Sequence, residues 1–229
     1  PLGNPNEARR TALEKVWLEA LPLGTPATEV GLAYLRHRGL DPERVLPELD
    51  KLRFHPALPY REGKEVKGHY PALLARVEHP KHGLVALHRT YLAPDGRGKA
   101  PVESPKKLTR AVLEGGTMGA AVRLYPPGDT LALAEGLETA LAVRQASGFP
   151  TWAAVSAGGM EAFEPPEGVE RVVIAADHDS RGIEAAYALG ERLLRQGLWV
   201  RILVPPVRDW DWLDALAKAP YWCQQMLRP

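Results

Sequence analysis

The sequence predicts an α/β protein in which an α+β N-terminal part precedes a Rossmann-like domain with a mostly parallel sheet flanked by helices. Three observations carry that prediction. From residue 129 onward, strand-like and helix-like segments alternate without interruption, as a parallel sheet with crossover helices requires. Between 51 and 125, short β-like runs are broken by Pro and Gly clusters, and the first 50 residues have helical periodicity. The expected organisation is a helical segment over 1–50, a basic β-rich subdomain over 51–128 and an α/β domain over 129–229, with the boundary in the "YPPGD" turn at 125–129.

In the first segment, "NEARRTALEKVWLEAL" places Leu13, Val16, Trp17 and Ala20 on one helical face. A second helix follows, with Thr25 as N-cap, Pro26 at the first helical position and Gly39 closing "TEVGLAYLRHRG". The β-like runs are "LRFHP", "PALLARVEH", "LVALHRTYL" and "AVRLY", with "HPKHG" as a hairpin turn between the second and third. The alternating part then reads as strand "TLALAE", helix "ETALAVRQAS", strand "TWAAVS", a helix near 159–163, strand "RVVIAAD", helix "RGIEAAYALGERLLRQG" and strand "WVRILVP". Pro1-Leu2-Gly3 reads as a tag remnant with no structural meaning.

Charge divides as the pattern does. Residues 1–128 hold 20 Lys and Arg against 14 Asp and Glu, whereas residues 129–229 hold 9 against 14. A basic half joined to an acidic half suits a nucleic-acid or nucleotide surface beside a metal-binding carboxylate cluster. No apolar run reaches the roughly 20 residues that cross a bilayer, and the N-terminal residues lack a secretion pattern, so a cytoplasmic protein with no membrane partner is expected. One cysteine, Cys223, permits neither an internal disulfide nor a cysteine-based zinc module, and no zinc is expected.

In a parallel α/β sheet, functional groups gather beyond the C-terminal ends of the strands. Glu135 follows "TLALA", Asp177 and Asp179 follow "VVIAA", and Asp209, Asp211 and Asp214 follow "VRILVPPV". Carboxylates brought within about 4–6 Å repel one another unless they share a cation, and hard oxygen donors suit Mg2+ or Mn2+. A single Asp at a strand end is equally well a helix N-cap, as Asp179 before "SRGIEAA" illustrates. Three acidic groups after three separate strands are harder to assign to capping alone. His178 reads as a packing residue or local modulator, and Trp210 and Trp212 as packing residues or base-stacking platforms.

The segments "AEGLETAL", "AADHDSRGIEAA" and "DWLDAL" resemble the Toprim domain of bacterial primases, topoisomerases and some nucleases. With "GTPA…YLRHRGL", "HRTYL…DG.GKA" and "WAAVSAGG", the chain looks closest to the primase-like Toprim proteins of phages and plasmids, in elements running from residue 24 to 216. The resemblance implies Glu135 as general base or positioner of the attacking hydroxyl, with Glu135, Asp177, Asp179 and Asp211 as metal ligands. Glu138, Asp209 and Asp214 are auxiliary acidic residues; Thr139 stands where bacterial primases carry Asp, and Leu213 replaces a polar residue, which weakens a second metal site. His88, Arg89, Lys99, Lys106 and Arg123, the last on the strand leading into the α/β part, are the expected nucleotide or template contacts.

The implied activity is template-directed nucleotidyl transfer with Mg2+ or Mn2+, making short RNA primers on single-stranded DNA from nucleoside triphosphates. Its expected partners are a replicative helicase or a separate zinc-binding module, because the sequence has neither a cysteine zinc module nor a Walker A motif. The alternatives are a Toprim-type metal-dependent nuclease and a non-catalytic nucleic-acid-binding replication module. A phosphatase built on an aspartate nucleophile fits poorly, since its DxD follows the first strand, and a topoisomerase needs a tyrosine on a further large domain.

Overall fold

A computed structural model describes residues 5–228, and Pro1-Leu2-Gly3 lies outside them. The chain divides into two compact units. One comprises the residues up to Val77 with His82–Gly116, the other Glu78–Lys81 with the residues from Thr117 onward. The division therefore falls near 116 instead of at 128, and the N-terminal helices share one unit with the β-rich stretch.

In the first unit, α1 (Pro5–Glu19), α2 (Glu29–His37) and α3 (Pro42–Val45) accompany a sheet of β1 (Leu21–Pro22), β2 (Leu52–Glu62), β3 (Glu65–His79), β4 (Gly83–Tyr91) and β5 (Lys106–Leu108), in chain order. The face of α1 predicted from spacing is the one that packs: Leu13, Trp17 and Ala20 meet Leu58, Tyr60, Leu74, Leu87 and Tyr91, with Val16 at the margin. Arg53 and Arg76 stack over Trp17, 4.6 and 5.5 Å from its ring centre, and Arg76 makes a two-pronged bridge to Glu14 at 2.8 and 2.9 Å. The helical start at Pro26 is a single 3-10 turn, Pro26–Thr28, in which the Thr28 hydroxyl accepts from the Gly24 and Thr25 N–H groups; Gly39 closes α2 at φ +75°.

The second unit has a four-stranded, wholly parallel sheet in the order β7-β6-β8-β9, formed by β6 (Thr130–Ala134), β7 (Thr151–Ala153), β8 (Arg171–Ala175) and β9 (Trp199–Leu203). Its helices are α4 (Leu137–Ser147), α5 (Ala157–Glu161), α6 (Ser180–Arg195), α7 (Trp212–Lys218) and α8 (Pro220–Met226). Alternate strand residues face opposite ways. Leu131, Leu133, Val172 and Ile174 form one core with Met160, Phe163, Leu189 and Leu193 from the α5 and α6 side. Ala132, Ala134, Val173 and Ala175 are buried on the other face, and α4 packs with α7 and α8.

One predicted strand is absent. "AVRLY" forms only isolated bridges, Ala121 with Glu78 and Val122 with Ala153, so Arg123 is not on a strand. The Tyr125 carbonyl instead accepts the Trp152 indole N–H at 2.8 Å, and Pro126 and Pro127 have no N–H with which to extend a ladder. Cys223 is buried, and burial pushes its thiol up to about 12, so it is an inert core residue. Replacing Trp17 with Ala removes the ring at the centre of the α1 contact, and chemical denaturation should show a loss of about 3–5 kcal/mol.

Candidate metal-binding and nucleotidyl-transfer site

The strand register places the acidic residues. Ala134 of β6 pairs with Ala175 of β8, and Ala175 pairs with Leu203 of β9, so the three strands end level. Glu135 is the next residue after β6, while Asp177 follows β8 by two. Neighbouring strands are about 4.8 Å apart, so their exits open side by side. The chain leaves β6 for β7 on one side and returns to β8 on the other, which makes the β6/β8 crevice the topological switch point where α/β sheets bind ligands.

The loop after β8 is tied down on three sides. His178 N–H donates to the Trp210 carbonyl at 2.9 Å, and Asp209 N–H donates to the His178 carbonyl at 2.8 Å. The His178 ring Nδ1 lies 2.7 Å from the Pro205 carbonyl, so Nδ1 carries the proton in that bond. Asp179 caps α6, its Oδ1 accepting from Gly182 N–H at 2.7 Å. Gly182 is needed there: a Cβ would lie 2.9 Å from the Asp177 carbonyl oxygen and 3.4 Å from its nitrogen. His178 thus fastens one loop to the next.

Glu135 is held from the other side. Its carbonyl accepts the Val155 N–H at 2.9 Å, and the Ala157 N–H, first in α5, hydrogen-bonds its carboxylate. Val155 is forced to φ +61°, a left-handed conformation that costs a β-branched residue about 1–3 kcal/mol and that clusters at functional sites. Burial raises the Glu135 carboxyl above its ordinary range, and Asp179 raises it further; the Ala157 N–H and Arg181 pull it back down.

The third acidic group is largely committed to itself. Asp211 caps α7 by accepting from Asp214 N–H at 2.8 Å, Asp214 accepts from Asp211 N–H at 3.4 Å, and Lys218 pairs with Asp214 at 2.6 Å. Asp209 is exposed, at φ +63°. The capping reading therefore holds for Asp179 and Asp211, and each cap bond uses one carboxylate oxygen.

Asp177, Asp179, Asp209, Asp211 and Asp214 line one open cavity of about 180 Å3 together with His178 and Trp210. Among the described residues, no three His, Cys, Asp or Glu side chains converge into a ready-made metal cage. The donors present suit a cation that keeps its waters and binds through one or two carboxylates plus substrate phosphates, which is the habit of Mg2+. The repulsion between Glu135 and Asp179 is the structural reason a cation is favoured there. Asp177 and Asp179, with Glu135 beside them, fit that role; Asp211 and Asp214, already paired through the cap and Lys218, fit it less well.

Glu138 is 6% exposed in the first turn of α4, and Thr139 is buried beside it. Trp212 is wholly buried, stacked on Trp222 at 5.6 Å with its indole N–H on the Ala176 carbonyl, so it belongs to the core. Trp210 does line the acidic cavity, with the Lys218 ammonium 5.0 Å from its ring centre. A larger cavity of about 970 Å3 opens at the opposite edge, by the first residues of β6, β8 and β9, and contains none of the predicted site residues.

The predicted basic contacts divide between the units. Arg123, in the second, stacks over Trp152 at 5.0 Å, and its Nε is buried without a hydrogen bond. His88, Arg89, Lys99 and Lys106 are in the first. Arg89 donates to the Leu108 carbonyl at 3.2 Å and the Tyr91 hydroxyl at 3.3 Å, while Lys106 is exposed on β5. Lys99 bridges Leu92 across a turn in which Asp95 accepts from Arg97 N–H at 2.9 Å. That loop is a packed β-turn: a Cβ on Gly96 would lie 2.6 Å from the Val30 carbonyl oxygen. Arg181, two residues beyond the second aspartate, pairs with Glu161 at 2.6 Å, a contact with no signal in the sequence beyond that spacing.

Residues 130–219 match the family model of the Toprim domain, and residues 7–119 match that of a domain of unknown function, DUF7146. No curated protein matches the chain. Among solved structures, a DNA primase domain from Pseudomonas aeruginosa shares 16% identity over 94% of this chain and 77% of its own, with a TM-score of 0.60. A DnaG primase catalytic domain bound to single-stranded DNA shares 14% over 98% of this chain and 80% of its own, at 0.57. The zinc-binding and RNA polymerase domains of the Aquifex aeolicus primase share 15% over 98% of this chain and 61% of theirs, at 0.60. The chain thus carries a Toprim domain, and its fold is similar to that of the catalytic cores of DnaG-type primases.

Two outcomes follow from this geometry. Gly182→Ala should keep the fold, by far-UV circular dichroism, yet weaken Mn2+ binding about 10-fold or more in calorimetric titration, the scale on which supporting groups act. Glu135→Gln should raise Tm at pH 7. Because the folded carboxyl is raised, its ionisation begins to cost stability as pH rises past the ordinary carboxyl range and costs the full amount above the folded pKa, so the gain from Gln should shrink as pH falls from the folded pKa to the ordinary one and vanish below that.

Proposed function

We propose that this chain is the catalytic module of a DNA primase, joining nucleoside triphosphates into short RNA primers on single-stranded DNA with Mg2+ or Mn2+. The observation that carries the reading is Glu135 and the Asp177/Asp179 pair flanking the switch-point crevice of a Toprim sheet. The likeness to primase catalytic cores across both units supports it at the level of fold.

Asp177 and Asp179 would hold the cation, and Glu135 would orient or deprotonate the attacking 3′-hydroxyl. When bound, the cation supplies charge stabilisation for the phosphoryl oxygens. The residues' own work is positional: the Ala157 N–H fixes Glu135, the cap to Gly182 fixes Asp179, and the His178 bonds fix the loop between the aspartates. His88, Arg89, Lys99, Lys106 and Arg123 are assigned to triphosphate and template contacts. A replicative helicase or a separate zinc-binding module completes the proposed assembly, of the phage or plasmid type and in the cytoplasm. Among the described residues, no helix is long and apolar enough to cross a membrane.

The test is unprimed incorporation of labelled ribonucleotides on single-stranded DNA with Mg2+, then Mn2+. Templated oligonucleotides should form, and Asp177→Asn or Glu135→Gln should reduce them about 100-fold or more, as loss of a general base or its equivalent does. Metal-dependent shortening of the DNA without incorporation would replace this reading with a nuclease, and neither activity would leave a binding module.

A further inference from the structure

Arg181 occupies the first turn of α6, two residues beyond Asp179, and its guanidinium lies in the electrostatic field of Glu135. Its visible partner is Glu161, the last residue of α5, at 2.6 Å. The same short helix holds Glu135 at its other end through the Ala157 N–H. One cation therefore lies within reach of two carboxylates, Glu135 at the strand exit and Glu161 outside the acidic cavity.

We propose that Arg181 is a phosphate-binding residue of this site, held in reserve by Glu161 and transferred to the β- or γ-phosphate of the incoming nucleoside triphosphate. The inference rests on the nucleotidyl-transfer reading of the same crevice. Three physical considerations lead to it. A divalent cation held by Asp177 and Asp179 would repel the Arg181 guanidinium from the crevice unless an anion accompanied it, and a triphosphate is such an anion. Glu161 is a single carboxylate, about one-third exposed, and the Arg181 side chain is about half exposed, so their ion pair is weak and readily exchanged. A triphosphate carries more charge, and its terminal phosphates accept two parallel N–H bonds from arginine, a stronger match than a solvated carboxylate. Glu161 keeps its structural role without its charge, because its backbone carbonyl accepts from Arg192 at 2.8 Å.

This arrangement predicts opposite effects for the two partners. Arg181→Ala should weaken binding of inorganic triphosphate in the presence of Mg2+ about 10-fold, with Arg181→Lys intermediate because lysine is a point charge. Glu161→Gln should strengthen it about 2- to 5-fold by releasing the guanidinium, and this gain should vanish in the Glu161→Gln, Arg181→Ala double variant. Calorimetry on the full chain reads all four, with Tm and circular dichroism reporting folding. Equal triphosphate affinity in wild type and Arg181→Ala, or weakening by Glu161→Gln, overturns the proposal. The primase reading fails separately: Arg181-dependent triphosphate binding without primer synthesis sinks that reading and leaves this one standing. Primer synthesis with an unchanged nucleotide KM in Arg181→Ala does the reverse.

Discussion

The hydrogen-bonded ladder between β6 and β8 is the constraint on which the site depends. Because Ala134 is level with Ala175, the residues that follow leave the sheet side by side, and a glutamate 42 positions before an aspartate in sequence becomes its neighbour across one strand spacing. A slip of one residue would turn every side chain of β6 to the other face. The register is held by the small and branched residues on both faces: Leu131, Leu133, Val172 and Ile174 on the α6 side, and Ala132, Ala134, Val173 and Ala175 on the other. The placement of charge is thus a by-product of apolar packing.

Concentrating negative charge at one edge is unfavourable, and the local structure offsets it in several ways. Helix starts absorb part of it, since Asp179 and Asp211 each accept a backbone N–H and Glu135 is met by the N–H of Ala157. Side-chain cations absorb more, Lys218 at Asp214 and Arg181 near Glu135. What is left unbalanced is the burial of Glu135 and its repulsion from Asp179. That imbalance is what the caps leave over, and it is accompanied by the left-handed Val155 next to it.

Close backbone approaches define the crevice walls. Gly182 lets α6 begin against Asp177, and at Gly159 a Cβ would lie 2.2 Å from the Ala154 carbonyl oxygen, so only glycine lets α5 start directly beneath β7. These two positions bring both helix N-termini up to the carboxylates. Ser156 secures the second by accepting the Gly159 N–H at 3.0 Å.

Much of this was legible in the sequence. Alternating apolar runs located β6, β8, β9 and the helices between them, and with them the strand exits at which the acidic residues stand, because backbone periodicity and strand polarity are local properties. The face of α1 was legible from the spacing of Leu13, Trp17 and Ala20 for the same reason. Tertiary structure alone decided the rest. "AVRLY" has the composition of a strand, but only Ala121 and Val122 find bridge partners, in Glu78 and Ala153, and the Tyr125 carbonyl goes to the Trp152 indole. Arg181 acquires its meaning only where α5 and α6 bring Glu161 and Glu135 to it. The physical reason is range: periodicity, capping and turn chemistry act over a few residues and can be read along the chain, whereas which charge meets which is fixed by packing between segments far apart in it.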